Sequence, residues 1–254
     1  MDFTLKIYKR LLLALKEAGY AFYTFEEYCE GIAVGKFVIL RHDIDKQPEN
    51  ASIISDIEYE SGIKSTFYFR SSPDILKPDV LKEISDQRHE IGYHYRDLVE
   101  AKGDYEKALS SFTANISFIR NIVPVRTISM DGCPLSRYDN RDLWKHYNYR
   151  DFGIIGEPYF DVDFQQVFYL TDTGRCWDGD KYSVRDKVKS NFAMSYHTTN
   201  DIIEAAANGT LPTKIMITTH PQRWTDNKLD WLIEFVMQTL KNIVKKFVVR
   251  SLKK

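Results

Sequence analysis

From residue 37 to residue 130, short apolar or β-branched runs alternate with stretches of helical period, and this alternation limits the fold more than any other feature. "FVIL" (37–40), "KSTFYFR" (64–70), "EIGYHY" (90–95) and "RTISM" (126–130) read as strands. Between them lie three helical stretches. Residues 48–61 open on Pro48 and carry Ile53, Ile54 and Ile57; residues 77–89 have Pro78 in the first turn; residues 104–121 turn Leu109, Phe112, Ile116 and Ile119 inward. Upstream, Leu5, Tyr8, Leu11, Leu12 and Leu15 make an amphipathic helix over 4–18, with Gly19 as its stop. Parallel strands need long crossovers, so strand–helix alternation predicts a parallel sheet, open or closed into a barrel.

The pattern loosens between 131 and 200, where short strands are expected at 152–155, 167–170 and 192–196. It resumes with a helix at 200–208 and the apolar strand "KIMITTH" (214–220). A last helix over 227–246 carries Leu229, Trp231, Leu232, Phe235, Val236 and Leu240. No repeat, low-complexity tract or Pro/Gly-rich linker interrupts the chain. Its 254 residues read as a single domain, with an N-terminal helix (1–30) packing on the barrel.

Charge excludes some functions. The 35 basic and 36 acidic side chains are well mixed, and the net charge of −1 favours neither nucleic acid nor an anionic membrane. Cys29, Cys133 and Cys176 are odd in number, far apart and without a CxxC, which points to a reducing compartment rather than a disulfide framework. The N-terminus lacks a secretory pattern, and no run approaches the ~20 apolar residues of a membrane span. The expectation is a cytoplasmic protein. "NGT" (208–210) then has no meaning as a glycosylation acceptor.

In parallel α/β folds, function gathers where strands end at their C-termini. Here those ends are charged. Alternation in "RHDID" puts Arg41, Asp43 and Asp45 on one face, with His42 and Ile44 on the other. Carboxylates about 7 Å apart on one strand end repel in a low dielectric, which a cation or an arginine relieves. In "HEIGYHY", Glu90, Gly92 and His94 share a face. A glycine there implies close approach by backbone or ligand. His220 ends the "KIMITT" strand before Pro221 and suits general acid work, its unperturbed pKa being about 6.5.

In this order, "RHDID", "STFYFR", "HEIGYH" and "ITTHP" resemble the strand motifs of the polysaccharide deacetylase (NodB-like, carbohydrate esterase family 4) superfamily, over residues 37–220. The resemblance implies an α/β fold, a distorted (β/α)7 barrel, and one divalent ion, zinc first. It implies hydrolysis of an N-acetyl group on a sugar or glycan precursor. Carried over, Asp43 is the general base, Asp45 the first metal ligand, His94 the second and His220 the general acid. Alternatives are a barrel that binds carbohydrate without hydrolysing it, and a hydrolase of another non-peptide C–N bond, such as that of a cyclic amide or imide.

The chain departs from the family pattern at the second metal histidine, whose position holds Leu98. Asp97 is the first replacement considered, Asp131 in "SMDGCP" nearly equal, and His89 least suited because alternation turns it away. A site without a tightly held ion is the fourth. The family's arginine beside the catalytic aspartate has no counterpart segment, so Arg41 or Arg175 takes that role. Trp177 is a sugar-stacking candidate, with Arg223 and Trp224 near the mouth. "DVD" (161–163) reads as a loop, and His146 and His197 as structural or surface residues.

Overall fold

Seven parallel strands form one sheet in the computed structural model, which describes residues 1–179, 185 and 187–252, the last eight by backbone alone. The order is β5-β4-β3-β2-β7-β6, with β1 alongside β2. The strands are β1 (Ala21–Tyr23), β2 (Phe37–Ile44), β3 (Thr66–Phe69), β4 (Glu90–Tyr95), β5 (Ile128–Met130), β6 (Phe168–Thr171) and β7 (Lys214–Thr219). β2 is central. β7 lies along one edge from Phe37 to His42, while β1 and β3 divide the other edge, β1 beside 37–39 and β3 beside 41–44. Among the described residues no ladder joins β5 to β6, so the expected barrel is present in an open form.

The crossovers are helices. α1 (Leu5–Glu17) starts at Thr4, whose hydroxyl accepts from the Ile7 amide, and buries Ile7, Tyr8, Leu11, Leu12 and Leu15. Each such side chain contributes roughly 1.5–3 kcal/mol relative to exposure. α2 (Phe25–Cys29) follows β1. α3 (Pro48–Glu60), α4 (Pro78–Asp86), α5 (Asp97–Glu100) and α6 (Tyr105–Arg120) alternate with β2 to β5. α7 (Pro158–Asp161) and α8 (Thr199–Ala207) precede β6 and β7, and α9 (Lys228–Leu252) ends the chain.

Burial splits by strand alternation. Val38, Leu40 and Ile44 face the layer between sheet and helices, which runs from Phe3 to Trp224. Phe37, Ile39, Tyr68, Phe164 and Met216 fill the concave side. The approach to Gly92 foreseen from sequence is made by a side chain: a Cβ there would meet the Tyr68 ring at 2.2 Å.

Three expectations change. The N-terminal helix does not run to residue 30: it stops at Glu17, Gly19 being the stop foreseen, with φ +84°, and "AFY" then joins the sheet. A capping box between Thr24 and Glu27 starts a separate α2 in the rest of that stretch. Residues 152–155 form no strand: a 3₁₀ turn (Tyr149–Phe152) ends at Gly153 with φ +68°, and only Gly156 bridges to Thr127. Residues 192–196 pack on β6 through rings, Phe168 to Phe192 at 5.3 Å and to Tyr196 at 6.1 Å, without a ladder.

Candidate active site at the strand ends

β2 delivers its charges as alternation requires. Arg41 is fully buried and donates from Nε and Nη2 to the two Asp43 carboxylate oxygens at 2.8 and 2.7 Å. The guanidinium lies over the Tyr68 ring at 5.3 Å, so the residue that fills the cup also supports the arginine. Burial alone would raise the Asp43 pKa. Arg41 and then His94 outweigh it and hold the carboxyl below its ordinary value, ionised at neutral pH.

His94 ends β4. Its Nδ1 lies 3.0 Å from the Ser129 carbonyl, which can only accept, so Nδ1 carries the proton. In the neutral ring Nε2 then presents its lone pair to the cup, 3.7 Å from Asp45 and 4.0 Å from Asp43. Asp131, just past β5, is anchored through Oδ1, which accepts from the Cys133 amide at 3.0 Å. Burial pushes its pKa up, but Arg70 and then His94 bring it down to about 2. Its other oxygen is buried and lies 2.7 Å from Arg70 Nε. One ligand atom each from Asp45, His94 and Asp131 fall within 4.8 Å of one another. In a flat sheet β2 and β5, three spacings apart, would be separated by about 14 Å. Bringing their end residues together requires the sheet to curl, as an opened barrel does.

Two carboxylates and an imidazole with a bare nitrogen are a donor set that fits a divalent ion with borderline preferences, zinc among them. The approach of one donor atom from each of the three residues to within 4.8 Å, with the His94 Nδ1 proton fixed by Ser129, is the observation that supports the fit. The same space is contested by Arg70. Its Nη2 lies 2.5 Å from Asp45 and its Nε 2.7 Å from Asp131, so the guanidinium spans both carboxylates.

His220 follows β7. Its Nδ1 is 2.6 Å from Asp172, and its amide donates to the same carboxylate at 3.0 Å. Trp224 donates from Nε1 to Asp172 at 2.9 Å, and Arg223 closes the group through the other oxygen. An ionised carboxylate accepts only, so Nδ1 holds the proton and Nε2 faces the cup, 3.9 Å from Asp45. Burial would raise the Asp172 pKa; Arg223 and then His220 hold it well below the carboxylate range.

Sequence reasoning brought Arg41, Asp43, Asp45, His94, Asp131 and His220 to one mouth, and the structure gathers these six there. Asp97 is corrected. The chain turns into α5 after β4, and the buried Asp97 carboxylate accepts from Tyr93, Ser111 and Asn115 at 2.7–2.9 Å, on the face away from the cup. His89 likewise faces outward to Ser65 and Glu58, and Leu98 is buried in the core. Trp177 is corrected too: it is 5% exposed, donates to Thr199 at 3.0 Å and packs near Phe3 and Trp224, with no face open to a sugar. Arg175 stacks on Trp231 at 4.8 Å, not beside Asp43. Arg223 and Trp224 serve Asp172. Two residues were missed, Arg70 and Asp172. Both end strands, Arg70 after β3 and Asp172 after β6, which is the signal that marked Asp45 and His220.

No family model matches the sequence, and no curated protein matches it. Solved structures do. A CE4 esterase from Streptococcus mutans is 16% identical over 92% of this chain and 89% of its own, with a TM-score of 0.49. A CE4 family pseudoenzyme from Bacillus anthracis is 14% identical over 81% and 61%, at 0.43. A mutant of the peptidoglycan deacetylase PdaC from Bacillus subtilis is 13% identical over 84% and 96%, at 0.40. The solved chains to which this one is similar thus include CE4 esterases and deacetylases, a pseudoenzyme among them.

Proposed function

We propose that the chain is a hydrolase that removes an acetyl group from an N-acetylated sugar or glycan precursor, with a divalent ion held by Asp45, His94 and Asp131. The observation that carries this reading is the convergence of two imidazole Nε2 atoms on Asp45, each with its Nδ1 proton fixed by an acceptor. The ion, when bound, polarises the acetyl carbonyl and offsets the charge that develops on its oxygen. Asp43, kept ionised by Arg41, takes a proton from the attacking water. The new bond joins water oxygen to the acetyl carbon, and the carbon–nitrogen bond breaks. His220 gives its Nε2 proton to the departing nitrogen, and Asp172 balances the imidazolium before that transfer. Products are acetate and a free amino sugar. Purified protein should hold about one equivalent of divalent ion and release acetate from N-acetylated sugars. Loss of both in Asp45→Ala supports the reading; acetate release that survives Asp43→Asn refutes it.

A second reading is favoured by Arg70. Its guanidinium already bridges Asp45 and Asp131, and Leu98 stands where the family pattern has a histidine. In this reading the arginine is the resident cation, no metal loads, and the cup binds carbohydrate without hydrolysis. Metal analysis of wild type and Arg70→Leu separates the two. Metal in the wild type supports the hydrolase; metal only after the substitution supports the binding protein.

A further inference from the structure

Helix α9 rests on the body with its polar side. Trp231 donates from Nε1 to the Asp2 carbonyl at 2.7 Å, Gln238 is 3% exposed, and Asn242 donates to the Gly174 carbonyl at 2.9 Å. These residues recur at helical spacing and define the buried side. Among the described residues, none of the α9 side chains up to residue 244 joins the core cluster.

The opposite side is apolar and open. Leu229, Ile233, Val236, Leu240 and Ile243 are 65, 53, 47, 55 and 51% exposed. Their spacing is four, three, four, three, and the sequence carries it on to Phe247. That 3.5-residue period is the seam of a coiled coil, in which one helix keeps the same line against another. Leu232, Met237 and Val244, each about half exposed, widen the stripe on both flanks.

These eight side chains, each about half exposed or more, form one continuous apolar stripe along the helix. A monomer's largest patch is typically about 300–600 Å² and one partner of a standard interface contributes about 800 Å², the scale that a stripe of eight such side chains reaches. The charges along the helix are also ordered. Lys228 opens the helix, Asp230 and Glu234 follow, and Lys241, Lys245, Lys246 and Arg250 lie in its second half, so the first half is net acidic and the second basic. Two copies laid antiparallel would oppose unlike ends, and an isologous two-fold contact requires such self-complementarity.

We propose that α9 is a self-association surface: a second copy of this chain covers the Leu229–Ile243 seam with the same helix, running antiparallel. Leu229 and Ile243 of one copy meet Ile243 and Leu229 of the other, and Val236 lies near the two-fold axis. The contact is on the outer side of α9, so it leaves Asp45 and His220 accessible.

Sedimentation velocity on the whole chain tests this, with V236E/L240E as the first variant and Ile243→Asp as an independent second. Both place charge on an already exposed position, so far-UV circular dichroism should match wild type. The expected result is a wild-type dimer at micromolar concentration and at least a tenfold weaker dimer in each variant. A monomeric wild type, or a dimer that both variants leave intact, overturns the proposal. So does a monomer that co-sediments with phosphatidylglycerol vesicles, which would assign the seam to a lipid surface.

Discussion

Two buried histidine–carboxylate pairs sit one residue apart on adjacent strands, and they do different things. His42 on β2 is in register with Thr219 on β7, and His220 is the next residue along. His42 points outward. Its Nδ1 is 2.7 Å from Thr219 and its Nε2 2.9 Å from Glu58, so both nitrogens are engaged. Tyr8 and Ser65 complete the Glu58 carboxylate, and the group has no contact with solvent. His220 points into the cup with one nitrogen bound to Asp172 and the other held near Asp45. The same pair of groups is structural when every valence is taken. It is available for chemistry when one nitrogen is left over.

The largest expected effect of breaking this contrast is on turnover. His220→Ala should lower acetate release by about 10²–10⁴-fold, with a smaller loss of stability than Glu58→Ala, because Arg223, Trp224 and the residue-220 amide still bind Asp172. Glu58→Ala should do the opposite. It strands His42, Tyr8 and Ser65 in an apolar layer, at a cost of about 3–5 kcal/mol, and lowers the melting temperature by roughly 10 °C. Activity per folded molecule should stay near wild type. Equal losses of both properties in both variants would erase the distinction.

Two aspartates sharpen it next. Asp131→Asn should abolish metal uptake, read by calorimetry, while Asp97→Asn should retain it and lose about 1–3 kcal/mol of stability from its Tyr93, Ser111 and Asn115 bonds. Retention by the first and loss by the second would restore the sequence-based choice.

A further test uses acids that face inward without an ion partner of their own. Burial pushes both Glu90 and Glu157 from 4.5 to about 7, against hydrogen bonds from Thr127 and the pull of Arg41 respectively. Such acids bind more protons folded than unfolded, so their stabilisation is complete below pH 4.5 and lost as pH rises through about 7. The shift corresponds to ~3 kcal/mol per group. Asp43, Glu58 and Asp172 act in the other direction, since their lowered pKa values cost stability only as pH falls below the ordinary carboxylate range. Melting temperature should therefore peak near pH 4–5 and fall between about pH 4.5 and 7. Glu157→Gln should flatten that fall.

The smallest effect belongs to Trp177. Trp177→Phe removes one hydrogen bond to Thr199, about 1 kcal/mol, and should leave sugar affinity unchanged in a binding titration. A large loss of affinity would return Trp177 to the site.

The strands and their charged ends were legible because alternation is a local property. It placed Arg41 against Asp43 and His42 away from both, and it put His94 and Glu90 on the concave face. What lay beyond it was less accessible. Asp97 lies past the end of β4, where the chain turns into α5 and the period of two no longer applies. Arg70 and Asp172 stood at strand ends in plain view. Their partners come from other strands, however, and those meetings depend on how far the sheet curls. Trp177 and Arg175 belong to the stretch without periodicity, and only packing against Phe3 and α9 decides their surroundings. The short runs at 152–155 and 192–196 have strand-like composition, but the first reaches the β5 edge through an isolated Gly156–Thr127 bridge and the second meets β6 through rings rather than a ladder.

The closeness of Asp45, His94 and Asp131 is a gauge of curvature, because residues three strands apart meet only if the sheet keeps its bend. The wedge that occupies the inside of that bend is the Tyr68 ring, seated in the notch where Gly92 has no side chain. A single methyl at position 92 would displace the ring and slacken the arc. The gap between the ligands would then widen although every one of them remained in place.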